Sequence, residues 1–288
     1  MQRRRFSIAL GGSIAALACG ARAGDAPDAV LQHIEAASGG RLGVSILDTA
    51  SGRHVGYRAD ERFPMCSTFK WLAAALVLQR VDAGQEQLAR PVAIEAAAIL
   101  AHSPLTEPNV GKRMTMGALC KAAIVQSDNA AANLVLASFG GPPALTAFAR
   151  SLGDDVTRLD RTEPTLNAAE PGDPRDTTSP AAMLGLMRQV LTGHALQPAS
   201  REQLLDWLLL NETGGDRLRA RLPAGWKIGD KTGAGAHGTH NDVGIIWPPS
   251  RPPWLVCAYL TQTKVPLAQR NATLATVGGL LVDLAQAA

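Results

Sequence analysis

Residues 226–262 read WKIGDKTGAGAHGTHNDVGIIWPPSRPPWLVCAYLTQ. Three runs rich in β-branched and aromatic residues, Trp226 to Thr232, His240 to Trp247 and Trp254 to Gln262, are separated by a glycine-rich and a proline-rich break. This pattern predicts consecutive strands joined by turns. Working outward, a helical spacing from about Asn271 to Ala287 closes the chain. At the other end, Ala26 to Ser38 has helical spacing through Val30, Ile34 and Ala37 and stops at Gly39-Gly40. Arg41 to Asp48 then alternates Leu42, Val44 and Ile46, as a half-buried strand does, and a turn at Thr49 to Gly52 leads into a second short strand.

Between these ends strand character nearly vanishes. Trp71 to Val81, Met116 to Gln126, Asn129 to Phe139, Pro143 to Leu152, Pro180 to Leu191 and Arg201 to Leu210 read as helices. The expected fold class is α/β, more strictly α+β: an antiparallel sheet flanked by terminal helices, with an all-helical domain inserted. Residues 24–66 and 216–288 form the discontinuous first domain and residues 67–215 the second. The second contains a loop over 158–176, rich in Pro, Asp and Glu, and long loops inside compact domains are usually functional or disordered.

The 288 residues are 46% hydrophobic and 18% charged, enough for a substantial core and too apolar for a disordered chain. Four of the 28 basic residues, Arg3, Arg4, Arg5 and Arg22, precede position 24, leaving 24 basic against 25 acidic. With no basic stripe left, nucleic-acid binding loses its support. The first 23 residues read as an export signal, with Arg3 to Arg5, an apolar stretch and Ala21-Arg22-Ala23 before the cut. Arg3-Arg4-Arg5-Phe6 fits the twin-arginine pattern, and an arginine-rich Sec signal reads equally well. Cys19 fits a lipidation site less well, because its upstream residues make a poor lipobox. The expected location is periplasmic or secreted, with no membrane attachment after signal removal. Cys66, Cys120 and Cys257 remain in the mature chain, an odd number, so at least one thiol is free.

Three short motifs carry the chemistry. In Ser67-Thr68-Phe69-Lys70 the spacing of three puts a hydroxyl and an amine one helical turn apart on one face. A serine needs a neighbouring base, and an amine in a low-dielectric pocket is neutral enough to act as one. Ser127-Asp128-Asn129 lies between two helices, where Ser127 suits proton relay and Asn129 suits holding an amide; a plain helix N-cap explains it as well. Lys231-Thr232-Gly233 ends a strand, where Lys231 and Thr232 suit a carboxylate, or simply a solvated strand end. Each motif alone is weak, and their joint occurrence in this order is not.

Together the three resemble the set of class A β-lactamases and penicillin-binding proteins. The resemblance spans nearly the whole mature chain. Arg161-Thr162-Glu163-Pro164-Thr165-Leu166-Asn167 resembles the Ω-loop of class A, with Asp176 where that family closes the loop on an arginine, here Arg161. Transpeptidase and penicillin-sensing relatives share the first three motifs without this carboxylate. The resemblance therefore implies a serine β-lactamase fold and hydrolysis of penicillins and cephalosporins, with β-lactam resistance as the result. Ser67 is the implied nucleophile, with Lys70, or Glu163 through a water, as base; the N–H groups of Ser67 and Ala234 form the oxyanion hole. Ser127 passes a proton to the leaving nitrogen, and Glu163, with Asn167 orienting a water, drives deacylation. Asn129, Lys231, Thr232 and Gly233 bind substrate. No cofactor or metal is implied, the partners are small β-lactam substrates and inhibitors, and a monomer is expected.

Departures from the family pattern narrow the subgroup. Many members carry an arginine after the lysine motif, where this chain has His240, and others carry one before it, matching Arg217. Arg217 is thus assigned to the substrate carboxylate, against a surface arginine in the run Arg217, Arg219, Arg221. His102 falls where the family puts an aromatic gatekeeper, or is a plain loop histidine. Cys66 and Cys120 match cysteines bridged in other members, but their partner positions are Gly235 and Ala74. A zinc hydrolase is the rival chemistry, resting on His237 and His240. A catalytic zinc needs three convergent ligands, and a spacing of three on a strand sends two side chains to opposite faces. A lactam-binding sensor that stays acylated is the non-enzyme rival.

Overall fold

The computed structural model describes residues 27–287. The export-signal readings, including Arg3 to Arg5 and Cys19, lie outside the described residues. In chain order the helices are α1 (Pro27–Ser38), α2 (Phe69–Asp82), α3 (Met116–Val125), α4 (Asn129–Ala137), α5 (Pro142–Ser151), α6 (Pro180–Met187), α7 (Pro198–Leu209) and α8 (Leu267–Gln286). The strands are β1 (Arg41–Asp48), β2 (His54–Tyr57), β3 (Phe63–Pro64), β4 (Pro91–Ala93), β5 (Arg113–Thr115), β6 (Thr177–Thr178), β7 (Lys227–Ala234), β8 (His240–Trp247) and β9 (Trp254–Thr261). The helix expected to run to Leu191 ends at Met187 and continues as one π-helical turn, Arg188–Thr192.

The main sheet has the order β2-β1-β9-β8-β7, antiparallel throughout, so the two ends of the chain meet where β1 pairs with β9. Its two faces are both covered. Leu42, Val44 and Ile46 pack with Val256, Ala258 and Leu260 against Leu31 of α1 and Leu274, Val277 and Leu281 of α8. Leu47, Val243, Ile245, Cys257 and Tyr259 face the helices of the middle segment. β1 is therefore not half-buried as its alternation suggests, since every residue from Leu42 to Asp48 is buried. Ser45 and Gly43 occupy its second face. Small residues there admit the helical layer, and a Cβ on Gly43 would come within 2.4 Å of the Phe63 ring.

α2 runs through the middle of the helical layer. All ten residues from Phe69 to Leu78 are buried, the pattern of a helix enclosed on every side. Two contacts then fix its N-terminal end. β3 pairs with β6, and the Met65 N–H donates to the Asp176 carbonyl at 2.9 Å, which ties the end of the 158–176 loop to the turn before Ser67. Asn241 of β8 donates to the carbonyls of Pro64 and Met65 at 2.8 and 3.1 Å. Among the described residues no helix is long and apolar enough to cross a membrane.

Candidate active site

Ser67 sits in a single 3₁₀ turn, Cys66–Thr68, that feeds directly into α2. Lys70 follows on the first turn of the helix and is buried. The lysine amine donates to the Ser127 carbonyl at 2.8 Å and to Asn129 Oδ1 at 2.7 Å, and pairs with Glu163 Oε1 at 3.0 Å. Ser67 Oγ donates to that same Glu163 oxygen at 3.0 Å. Nucleophile and ammonium thus share one carboxylate oxygen.

Ser127, at the left-handed φ of 57°, lies between the lysines of two motifs. Lys70 Nζ is 3.4 Å and Lys231 Nζ 3.1 Å from its hydroxyl oxygen. Lys231 donates to this oxygen, while the three protons of Lys70 go at shorter range to the Ser127 carbonyl, Asn129 and Glu163, and the hydroxyl proton of Ser127 is left for a third group. Burial lowers the pKa of Lys70, opposed by Glu163, and lowers that of Lys231 further because Lys70 and Arg217 add like charge. The next residue, Asp128, caps α4 through the Ala131 N–H at 2.8 Å and accepts from Leu105 and Thr106 at 2.9 Å. The motif is both a helix cap and a site wall.

The loop carrying Glu163 is held at three points. Arg161 Nε meets Asp176 Oδ2 at 2.5 Å, and Asp176 Oδ1 accepts the N–H groups of Asp160 and Arg161. Asn133 on α4 brackets the Glu163 backbone, donating to its carbonyl at 2.9 Å and accepting its N–H at 3.0 Å. Asn167 Nδ2 donates to Glu163 Oε2 at 2.5 Å, while Asn167 Oδ1 is buried and unpartnered, an acceptor suited to a water beside the carboxylate. Asn133 was not singled out from the sequence. Its signal was its place one helical turn beyond Asn129, on the same face of α4.

The opposite wall is β7, the edge strand of the main sheet. Gly235 N–H bonds the Thr239 carbonyl at 3.1 Å, so the Ala234 N–H one position earlier points away from β8. Gly233 must be glycine because a Cβ there would lie 2.7 Å from the Met65 carbonyl oxygen. Arg217 reaches the same strand end, donating through Nη1 to the carbonyls of Gly233 and Asn241 at 2.9 and 2.6 Å. Arg219 does something else: it forms a 2.6 Å ion pair with buried Asp230. His240 is buried and its Nε2 meets Asn271 Oδ1 of α8 at 2.6 Å. Asn129 spends Nδ2 on the Ala101 carbonyl at 2.9 Å, and its N–H donates to the His102 carbonyl at 2.9 Å, which sets His102 beside it at the rim. The His102 ring itself bonds the Gln126 carbonyl at 2.8 Å.

His237 pairs with Glu170 at 3.1 Å, so the two histidines of the zinc reading face different partners. No group of three or more His, Cys, Asp or Glu suited to a metal occurs among the described residues. Cys66, Cys120 and Cys257 are free and buried. Gly235 lies directly against Cys66, since a Cβ there would approach Cys66 Sγ to 2.6 Å, but glycine offers no thiol, so the bridge that other members carry at this place has no second sulfur.

A model of the β-lactamase enzyme family matches residues 26–285. The chain belongs to this family. Within it, class A is the group its structural neighbours represent: an ancestral class A β-lactamase is 58% identical and superposes with a TM-score of 0.89, over 89% of this chain and 99% of that one. β-Lactamase L2 of Stenotrophomonas maltophilia is 47% identical, over 96% of this chain and 97% of its own length. β-Lactamase CTX-M-8 of Citrobacter amalonaticus is 46% identical over 88% and 87%. The chain is a class A serine β-lactamase in sequence and in fold.

Proposed function

We propose that this enzyme hydrolyses the lactam amide of penicillins and cephalosporins through a Ser67 acyl-enzyme, and so confers β-lactam resistance. One observation carries the reading: Glu163 Oε1 lies 3.0 Å from Ser67 Oγ, inside the site formed by Lys70, Ser127, Asn129 and Lys231. In acylation the Ser67 proton passes to the Glu163–Lys70 pair as a unit, since both groups meet at one oxygen. The outward N–H of Ala234 and that of Ser67 receive the developing oxyanion. Ser127 gives its proton to the leaving nitrogen, and Lys231 and Lys70 replenish it. Arg217, Lys231 and Thr232 hold the ring carboxylate, Asn129 the side-chain amide, and His102 borders the entrance. A water held by Asn167 Oδ1 and Glu163 then attacks the ester.

The division into 24–66 with 216–288 and 67–215 places this site on the seam between the two layers. The apolar cluster against α1 and α8 is built entirely from residues of 24–66 and 216–288, which supports that division, while the other cluster joins the second face of the sheet to the helical segment. Export by the signal at 1–23 and action as a monomer complete the proposal. The test is mixing with a chromogenic cephalosporin: continuous turnover is expected, and a single burst of one equivalent would instead mark a lactam-binding relative.

A further inference from the structure

The hydroxyl of Thr232 does not stand free at the cleft. Its oxygen is 2.5 Å from the Thr213 hydroxyl, which is in turn 2.8 Å from Asn211 Oδ1. The direction of each proton in this chain follows from the other end. Asn211 Nδ2 donates to Asp230 Oδ2 at 2.6 Å, and Asn211 Oδ1 also accepts the Thr213 N–H at 3.1 Å, so the amide has one orientation. Oδ1 carries no proton, and therefore the Thr213 hydroxyl donates to it. A hydroxyl has one proton. The Thr232–Thr213 bond must then be made by the proton of Thr232, which points away from the cleft and toward Thr213.

We propose that Thr213 is a positioning residue that sets the direction of the Thr232 hydroxyl proton, holding it until a substrate carboxylate takes it over. This rests on the reading above that Thr232 binds the ring carboxylate. Lys231 and Arg217 cannot substitute for the switch, because they are permanent donors, whereas Thr232 must rotate its O–H from one acceptor to another. Thr213 is thus a competing acceptor, and carboxylate binding is weaker by the bond that is given up.

Thr213→Val keeps the shape and removes the acceptor. With a penicillin carrying its free carboxylate, the expected result is a KM about 3- to 10-fold lower at unchanged kcat, the size of one exchanged neutral hydrogen bond. The methyl ester of the same penicillin should show no such change, and Thr213→Ser, which restores the hydroxyl, should return KM to the wild-type value. Thr232→Val is measured alongside. If it raises KM for the acid and leaves the ester alone, Thr232 is a carboxylate ligand; a KM for Thr213→Val that is then unchanged or raised overturns the proposal. If Thr232→Val does not distinguish acid from ester, the carboxylate reading of Thr232 fails first. An equal shift for acid and ester in Thr213→Val marks a purely structural role and also overturns it.

Discussion

Lys70 and Glu163 form an ion pair at 3.0 Å with both side chains fully removed from solvent. Such a pair is weak evidence of stability but is costly to break from one side, about 3–5 kcal/mol, because a buried charge is left behind. Here the remaining lysine has an outlet. Burial already lowers its pKa, and Glu163 is the chief group opposing that. Removing the carboxylate moves Lys70 further toward the neutral amine.

Glu163→Ala should therefore still be acylated at Ser67 but not released. Mass spectrometry after mixing with a penicillin should show the protein plus one drug mass, persisting about 10² to 10⁴ times longer than a wild-type turnover. Ser67→Ala should show no adduct. Wild-type turnover by Glu163→Ala would mean that another residue activates the water.

The two arginines two residues apart should fail differently. Arg217→Ala removes a guanidinium at the β7 end and should cost about 1.5–3 kcal/mol in kcat/KM for substrates with the ring carboxylate. Arg219→Ala uncovers buried Asp230 and should instead lower unfolding stability by about 3 kcal/mol, with kcat/KM of the folded fraction little changed. Urea unfolding and steady-state kinetics on both variants decide it. Reversed phenotypes would reassign the carboxylate contact.

Gly235→Ala puts a methyl group 2.6 Å from Cys66 Sγ and 2.8 Å from the Asn167 carbonyl oxygen. The Ω-loop must move, and Asn167 and Glu163 move with it. Deacylation should slow by about tenfold or more, since small displacements of positioned groups are expensive in rate. Pre-steady-state kinetics should show acyl-enzyme accumulating. An unchanged deacylation rate would show that the loop absorbs the methyl without moving Glu163.

Burial lowers the His240 pKa to about 4, with the Arg217 charge acting in the same direction. An unfolded histidine titrates near 6.5. Between these values the unfolded chain binds more protons, so the contribution is complete above about pH 6.5 and is lost as pH falls through 4. His240→Gln should remove this dependence, and the wild type should lose up to about 3 kcal/mol relative to it across that window. Denaturant unfolding at pH 7 and pH 4.5 checks the sign. Parallel curves for the two proteins would contradict it.

The three thiols are buried, and burial pushes their pKa values up. A thiol reagent should find none of them in the native mature protein at neutral pH and all three in denaturant without reductant. A count of one after denaturation would mean an internal disulfide.

What the sequence by itself determined is local or motif-borne. The eight-residue extent of β8, the three terminal strands, α1 and six helices of the middle segment could be read because apolar spacing and turn residues act over a few positions. The motif set could be read because Ser67 and Lys70 are three positions apart, across the 3₁₀ turn that feeds into α2. Only the tertiary structure decided which carboxylate oxygen Ser67 touches, since Glu163 is 96 positions away and arrives through a loop pinned by Asn133 and Asp176. It likewise decided that β1 is buried on both faces, because a strand's alternation does not report whether a second layer covers the sheet. The run Arg217, Arg219, Arg221 looked uniform. Its members diverge because a side chain's role depends on the acceptor across the gap: Arg217 meets the carbonyls of Gly233 on β7 and Asn241 on β8, and Arg219 the buried Asp230 carboxylate.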